Sequence, residues 1–415
     1  MPIKKLVNWV LLLAVSLTVA LVSAEIFVRV AASIWFDVKY LATAGVGNMP
    51  RAYASLEDFL GEFRVHLAPH RIWNNYYANS LGFTGQEFSV AKPVGTRRIM
   101  ALGDSFPHGM VAYPQNVLTL VEASLRRDCG DTEIMNFGIP ATGVWEYRLV
   151  HKLAAPRYNP DVVVVHFYMG NDGPDLIFGA NEVPSIGRRI SAYSYAWNYV
   201  ANSVKVLRSL NLTRAARAVA TPAAPGYPIQ GGTRVRDQPD ITDREFEPSF
   251  SEEAFAQIAA MELGRFYRGK NLPFRVDAWK PTLEVLDALT ADVVSTTGRG
   301  PVIILYPSQL QVYPQLFRQT KREVEKRLKG IDPDDFDSGY PSQVLLEYCR
   351  RAHLSCYDVT PAMVDAARES TDPLYLPRDT HWNVRGNRVA AAAEATFLRH
   401  ELCKNLIERS PAPTR

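Results

Sequence analysis

The chain has 415 residues, of which 47% are hydrophobic and 21% charged, values typical of a globular protein with a large core. The formal net charge of +3 is too small to indicate a nucleic-acid partner. No run of basic residues interleaved with aromatic ones is present either, so nucleic-acid binding is excluded as an expectation.

The first forty residues are predicted to form a membrane segment. Two lysines precede an apolar run from Leu6 to Ala24, which is close to the roughly 20 residues needed to cross a bilayer. An uncleaved signal anchor over 1–40 and a secretory signal cleaved after Ala24 both fit this pattern. We favour the anchor, because Ile26 to Val30 continue the apolar helix. Either way the rest of the chain is expected on the periplasmic side of a bacterial inner membrane.

Residues 41–415 are predicted to form one α/β domain, entered through a loop-rich lead-in over 41–92. Strands alternate with helices, a pattern that predicts a parallel sheet with helices on both faces. The predicted strands are Arg98–Leu102, Glu133–Phe137, Asp161–Phe167, Pro301–Tyr306 and Leu354–Val359. The predicted helices include Val117–Arg126, Trp145–Leu153, Val312–Leu328, Gln343–Arg351 and Val384–Ile407.

A long segment over 179–298 separates the third strand from the fourth and is interpreted as a helical insertion. Its stretch 188–220 has five arginines and one lysine but no acidic residue, and four aromatic residues lie at 193–199. Such a helix could lie on an anionic membrane surface, but we favour a cap helix with a solvated basic face whose aromatic residues pack on the core.

The first chemical motif follows the first predicted strand of the sheet. Gly103, Asp104 and Ser105 form a turn there, and open α/β sheets place their chemistry at the carboxyl ends of strands. Ser105 is therefore the candidate nucleophile. A helix beginning soon afterwards would direct backbone N–H groups toward developing negative charge.

The second motif lies near the end of the chain, where Asp379 stands two residues before His381. In an extended segment such residues face the same side, so the carboxylate can orient the imidazole. An oriented imidazole is what a serine needs in order to become a nucleophile. His381 is the candidate base and Asp379 its orienting group.

These residues, together with Gly138 and with Asn171 of Gly-Asn-Asp, resemble the four sequence blocks of the SGNH (GDSL-type) hydrolase superfamily. The resemblance implies a flavodoxin-like three-layer α/β/α sandwich. It also implies an oxyanion hole made of the N–H groups of Ser105 and Gly138 and the side-chain amide of Asn171. Asp104, His108 and Trp382, which flank the motifs, are expected to line the substrate pocket.

The spacing of the last block departs from the usual pattern, in which the aspartate stands three residues before the histidine. The sequence Asp379-Thr380-His381-Trp382 instead resembles the Asp-x-His-Trp variant of alginate-type O-acetyltransferases. Ester hydrolysis on a cell-envelope carbohydrate or lipid is our leading hypothesis. O-acyl transfer to an envelope glycan, with a membrane partner supplying the acyl group, is the alternative, and a non-catalytic envelope-binding module is the third.

Other enzyme classes lack their signatures in this chain. There is no Gly-x-Ser-x-Gly elbow, no phosphate-binding loop, no dinucleotide fingerprint and no His-Glu-x-x-His motif, so neither a metal nor a cofactor is expected. The four cysteines are too few for a disulfide-built scaffold. Cys349 and Cys356 could pair in an oxidising compartment or remain buried thiols, and their spacing does not decide between the two.

Overall fold

The computed structural model describes residues 3–34, 55–60, 69, 72–73, 76–172, 194–197, 199–200, 247–268, 279–327 and 332–407. The chain divides into two compact units, Met1–Ala52 with Glu182–Arg234, and Tyr53–Asn181 with Val235–Arg415. The predicted boundaries of an anchor at 1–40, a domain at 41–415 and an insertion at 179–298 stay predictions.

The first unit contains one long helix, α1 (Ile3–Ile34). Its segment Leu11–Ala31 is long and apolar enough to cross a membrane. Near the end of this segment Val28 is buried beneath Tyr195 and Tyr199. Most of the basic stretch over 188–220 lies outside the described residues, so its two interpretations stay open.

The second unit contains a five-stranded parallel sheet, and the five strands predicted from the sequence are confirmed. A two-stranded antiparallel ribbon, β1 (Ile72–Trp73) and β2 (Tyr76–Tyr77), precedes it. The sheet strands are β3 (Arg97–Gly103), β4 (Thr132–Gly138), β5 (Val162–Tyr168), β6 (Val302–Tyr306) and β7 (Cys356–Asp358). Their order across the sheet is β4-β3-β5-β6-β7, and every pair is parallel.

The described helices of this unit include a counterpart of each of the five helices predicted above. They are α2 (Leu56–Leu60), α3 (Ser105–His108), α4 (Val117–Cys129), α5 (Val144–Tyr158), α6 (Glu252–Leu263), α7 (Lys280–Thr297), α8 (Gln309–Val312), α9 (Pro314–Arg327), α10 (Tyr340–Ala352), α11 (Thr360–Glu369) and α12 (Val384–Ile407).

The sheet is covered on both faces, as the apolar strand sequences require. Along β3, Met100 and Leu102 enter one hydrophobic core, whereas Ile99 and Ala101 enter the other. This alternation follows from the two-residue period of a strand. Every residue of β5 is buried, which fits a central strand covered on both sides.

Helices α5, α7 and α10 contribute to the first core, and α4, α11 and α12 to the second. The three-layer α/β/α sandwich predicted from the resemblance is therefore confirmed. Helix α7 lies inside the predicted insertion, yet Leu286, Leu289 and Val293 pack in the sheet core. This part of 179–298 thus belongs to the layer that covers the sheet.

Strand order also determines where side chains can converge. The chain passes from β3 to β4 on one side and later to β5 on the other side of β3. At such a reversal the loops after the two central strands separate and leave a crevice at their carboxyl ends. The segments after β3 and β5 carry Ser105 and Asn171 to this crevice.

Both pairs of cysteines form disulfide bonds. Cys349 and Cys356 are joined with 6.2 Å between their Cα atoms, which selects one of the two states that the sequence left open. Cys129 and Cys403 are joined with 5.7 Å between their Cα atoms, a pairing that the sequence analysis did not raise. This second bond ties the end of α4 to the last turns of α12.

Candidate active site

The nucleophile turn is formed by close packing at the end of β3. A Cβ atom on Gly103 would lie 2.4 Å from Cγ of Pro107, so a larger residue would displace the turn. Asp104 then caps the short helix α3, because its Oδ1 accepts the backbone N–H of Phe106 at 3.0 Å. Ser105 is the first residue of α3 and is 7% exposed.

The base lies on a loop between α11 and α12 that is fixed by hydrogen bonds. The backbone N–H of Leu376 donates to the carbonyl oxygen of His381 at 2.9 Å. Gln309 Nε2 donates to the carbonyl oxygen of Asp379 at 3.0 Å. Helix α8, which follows β6, therefore contacts this loop and holds the main chain at Asp379.

Ser105, His381 and Asp379 form a continuous hydrogen-bonded chain. His381 Nε2 lies 2.7 Å from Ser105 Oγ, and His381 Nδ1 lies 2.6 Å from Asp379 Oδ1. An ionised carboxylate only accepts, so Nδ1 carries the proton and the Nε2 lone pair faces the hydroxyl. This arrangement can take the proton of Ser105 as its oxygen attacks an electrophile.

The electrostatic environment of His381 and Asp379 suits a base and its orienting carboxylate. Burial opposes the charged form of His381, but the hydrogen bond and charge of Asp379, with the charges of Asp104 and Glu262, leave the pKa of His381 raised. Burial likewise acts against ionised Asp379, but the hydrogen bond and the charge of His381 leave the pKa of Asp379 lowered. Asp379 is therefore already ionised at the pH at which His381 begins to lose its proton.

Asn171 is exposed in the turn that follows β5, the strand next to β3 in the sheet. Burial raises the pKa of Asp104, the residue before Ser105, and the side chain of Asn171 is among the groups that offset part of this effect. The next residue, Asp172, accepts the Tyr147 hydroxyl at 2.9 Å and the Tyr168 N–H at 2.8 Å, and these bonds hold the turn. Burial is the main reason why the pKa of Asp172 lies well above its usual range.

Gly138, at the end of β4, packs against the nucleophile turn. A Cβ atom there would lie 2.4 Å from the backbone nitrogen of His108. The N–H of Gly138 donates to Oδ1 of Asn136 at 2.9 Å, and Asn136 Nδ2 donates to the carbonyl oxygen of Pro107 at 2.6 Å. Its role as an oxyanion donor stays a prediction, and in that role the N–H would be shared with Asn136.

The three residues expected to line the pocket are buried, with Asp104 at 0%, His108 at 2% and Trp382 at 2% exposure. Trp382 packs edge-on against Phe106 with ring centroids 4.8 Å apart. Phe106 in turn packs beside the His381 ring at 5.2 Å. These contacts hold the base against α3, whereas direct contact with a substrate stays a prediction for all three.

A buried polar group next to the site was missed by the sequence analysis. Glu262 of α6 accepts the Tyr168 hydroxyl at 2.7 Å and the Ser308 hydroxyl at 2.5 Å. Ser308 also caps α8, the helix that carries Gln309. The available sequence signal concerned its partner Ser308. The capping-box sequence from Ser308 to Gln311, directly after β6, marks a helix start at the crevice.

A family comparison bears on the second half of this site. Residues 291–413 match the family described as "SGNH hydrolase-like domain, acetyltransferase AlgX". The match includes Asp379 and His381 and begins after the part of the chain that carries Ser105, Gly138 and Asn171. No curated protein matches the chain significantly.

Solved structures with a related fold have low identity to this chain. A two-domain esterase active on acetylated mannans is 10% identical with a TM-score of 0.36, covering 77% of this chain and 51% of its own. A lipolytic protein of the G-D-S-L family from Veillonella parvula is 11% identical with a TM-score of 0.35, covering 74% and 98%. An acetylxylan esterase from Geobacillus stearothermophilus is 11% identical with a TM-score of 0.34, covering 73% and 94%. The chain thus spans about half the length of the mannan esterase, and none of these likenesses bears on activity.

Proposed function

We propose that this chain, whose residues 291–413 match the SGNH hydrolase-like domain of the AlgX acetyltransferase family, is a serine O-acyltransferase acting on a cell-envelope glycan. The observation that carries the proposal is the chain of short contacts from Ser105 Oγ through His381 to Asp379. The proposed substrates are an acyl ester donor, supplied by a membrane partner, and a hydroxyl group of a carbohydrate.

In the first step Ser105 Oγ attacks the carbonyl carbon of the acyl donor, and His381 Nε2 takes the hydroxyl proton. The bond from the carbonyl carbon to the donor oxygen then breaks, and His381 returns the proton to that oxygen. The negative oxygen between these events needs donors, for which the N–H groups of Ser105 and Gly138 and the amide of Asn171 are proposed. Loss of one such donor typically lowers turnover about 10²–10³-fold.

In the second step a hydroxyl of the acceptor attacks the acyl-enzyme while His381 removes its proton. The new ester forms, the bond to Ser105 breaks, and the proton returns to Ser105 Oγ. Water in place of the acceptor would give hydrolysis, which is the second candidate function. The sequence alone led us to hydrolysis first, and the family match supports transfer more strongly.

We further propose that α1 remains attached as an anchor. The helix Ile3–Ile34 continues without interruption past Ala24, the candidate cleavage point. Immediately beyond it, Glu25 accepts hydrogen bonds from the Ser194 hydroxyl at 2.8 Å and from the Tyr195 N–H at 2.9 Å. These contacts support a helix that is retained in the mature protein. The two disulfide bonds suit an oxidising compartment outside the cytoplasm.

A fluorophosphonate probe on the detergent-solubilised full chain tests the nucleophile. We expect the wild type to be labelled and Ser105→Ala to be unlabelled. Ser89→Ala is the matched control, because Ser89 is exposed and its hydroxyl bonds only the nearby carbonyl oxygen of Ala91 among the contacts described. Equal labelling of wild type and Ser105→Ala would refute the proposal.

A chromogenic acetyl ester then separates transfer from hydrolysis. We expect added oligosaccharide to increase release of the chromophore and to gain acetyl groups detectable by mass spectrometry. Release that is unchanged by oligosaccharide, with free acetate as the only product, would support hydrolysis instead.

A further inference from the structure

Helix α6 buries a carboxylate that the proposed mechanism does not use. Glu262 of this helix is only 4% exposed. Its helix neighbours Ala259 and Leu263 pack in one apolar cluster with Leu310 of α8. Burial of a carboxylate is costly unless the group is hydrogen-bonded, so the partners of Glu262 indicate what it does there.

The two oxygens of Glu262 bridge the ends of two neighbouring strands. Oε1 accepts the hydroxyl of Tyr168, the last residue of β5, at 2.7 Å. Oε2 accepts the hydroxyl of Ser308, two residues after β6, at 2.5 Å. The Ser308 oxygen in turn accepts the Leu310 N–H at 3.1 Å as the cap of α8. Glu262 therefore joins the end of β5 to the start of α8.

On the β5 side the bridge supports residues 168–172, which we call the Asn171 turn. The Asn171 N–H donates to the carbonyl oxygen of Tyr168 at 3.3 Å. A Cβ atom on Gly170 would lie 2.4 Å from two carbon atoms of the Tyr168 ring, so the turn folds directly over that ring. The same ring packs against Phe106 of the nucleophile helix α3 with centroids 4.2 Å apart. Fixing the Tyr168 ring therefore fixes the turn that lies on it.

On the α8 side the bridge supports residues 370–383, the loop between α11 and α12, which we call the base loop. Gln309 Nε2 donates to the carbonyl oxygen of Asp379 at 3.0 Å. The carbonyl oxygen of Pro307 accepts the Tyr375 hydroxyl at 2.9 Å. The two residues that flank the bridged serine thus both contact the base loop.

We propose that Glu262 is a positioning residue that couples the Asn171 turn to the base loop. A buried polar network whose members are all hydrogen-bonded holds its elements in one arrangement, because an unpaired buried member is unfavourable. Since α6 lies inside the segment 179–298, the insertion itself contributes to the geometry of the site. The inference rests on the proposed function for its kinetic consequences alone.

The kinetic test uses Glu262→Gln in the detergent-solubilised full chain with the chromogenic acetyl ester. An amide keeps the shape of the carboxylate but has a single oxygen, so it cannot replace both acceptors. We expect kcat per fluorophosphonate-reactive site to fall about 10-fold, less than the roughly 10²–10³-fold loss for an oxyanion donor. KM should be unchanged, since Glu262 is not proposed to touch the substrate. Glu252→Gln, an exposed position of the same helix, is the matched control and should keep the wild-type kcat.

A double-mutant cycle tests the bridge with a milder change. Tyr168→Phe keeps the ring and removes the hydroxyl, and it should lower kcat less than Glu262→Gln does. In the Glu262→Ala background that hydroxyl has no carboxylate to bond, so Tyr168→Phe should have little further effect. Losses that multiply in the double variant would contradict the coupling.

Hydrogen exchange followed by mass spectrometry tests the coupling without turnover. In Glu262→Gln, peptides covering the Asn171 turn and the base loop should both exchange faster than in Glu252→Gln. Peptides covering β3 should exchange at the wild-type rate, whereas a general loss of stability would accelerate them too. A uniform increase that includes β3 would therefore count against a positioning role.

Two further outcomes separate this inference from the proposed function. Wild-type exchange and wild-type kcat in Glu262→Gln, with Ser105→Ala unlabelled by the probe, would overturn the inference and leave the proposed function intact. If the wild type proves to have no acyltransferase activity, faster exchange confined to the Asn171 turn and the base loop would still support the positioning role of Glu262.

Discussion

At the scale of single residues, His381 is governed by the acidic groups around it. Asp379 bonds it directly, and Asp104 and Glu262 add negative charge from two other elements. Burial alone would make the imidazole a weaker base, but together these groups raise its pKa above the usual 6.5. A stronger base removes the serine proton more readily, but it is protonated over a wider range of pH.

This balance predicts the acid side of the activity profile. His381 must be neutral to act as a base, so kcat/KM should fall as the pH drops through a limb lying above pH 6.5. In Asp379→Asn the limb should move to lower pH, because the charge that stabilises protonated His381 is gone. Turnover should also drop roughly 10²–10⁴-fold as the imidazole loses its orientation. Steady-state kinetics over a pH series measure both effects, and a limb that stays in place in Asp379→Asn would contradict the assignment.

At the scale of elements, the interface of α5 and α7 contains a buried histidine. His151 of α5 is 1% exposed, and no hydrogen-bond partner is found for its ring nitrogens among the described residues. Nearby, Arg148 of α5 pairs with Asp292 of α7 at 2.7 Å. Burial lowers the pKa of His151 to about 4, against a smaller opposing effect of Asp292. The packed helices therefore accept only the neutral ring.

The consequence is acid sensitivity of the fold. The unfolded chain takes up a proton at His151 below about pH 6.5, whereas the folded protein resists it until about pH 4. The free energy of unfolding should therefore decrease as the pH falls through this window, by up to about 3 kcal/mol from this residue. His151→Leu should flatten the pH dependence measured by urea unfolding. His400→Leu is the control, because the His400 side chain is 71% exposed; a slope equally reduced in both variants would contradict the prediction.

At the scale of the whole molecule, the two disulfide bonds differ in what they constrain. Cys349–Cys356 spans 7 positions and joins the end of α10 to β7. Cys129–Cys403 spans 274 positions and ties together the ends of α4 and α12, which pack on the same face of the sheet. The loss of entropy in the unfolded chain grows with the length of the closed loop, so the long-range bond should stabilise the fold more.

We expect removal of the long-range bond to be the more destabilising change. Replacing Cys129 and Cys403 by serine should lower the free energy of unfolding by about 5 kcal/mol, against about 2 kcal/mol for the pair Cys349 and Cys356. Urea unfolding of the two double variants measures the difference. Equal losses, or a larger loss at the short-range pair, would contradict the loop-length argument.

The sequence by itself determined the local elements and the chemical types of the candidate residues. Apolar runs such as Val162 to Val165 fix the strands, and the turns after them identify Ser105 and Asn171, because hydrophobic periodicity and turn chemistry act over a few residues. Only the tertiary structure decided which distant residues meet. It brought Cys129 to Cys403, Glu262 to Ser308, and Gln309 to Asp379, because these contacts depend on how the strands are ordered and where the insertion returns. No local sequence pattern encodes such contacts between residues far apart in the chain.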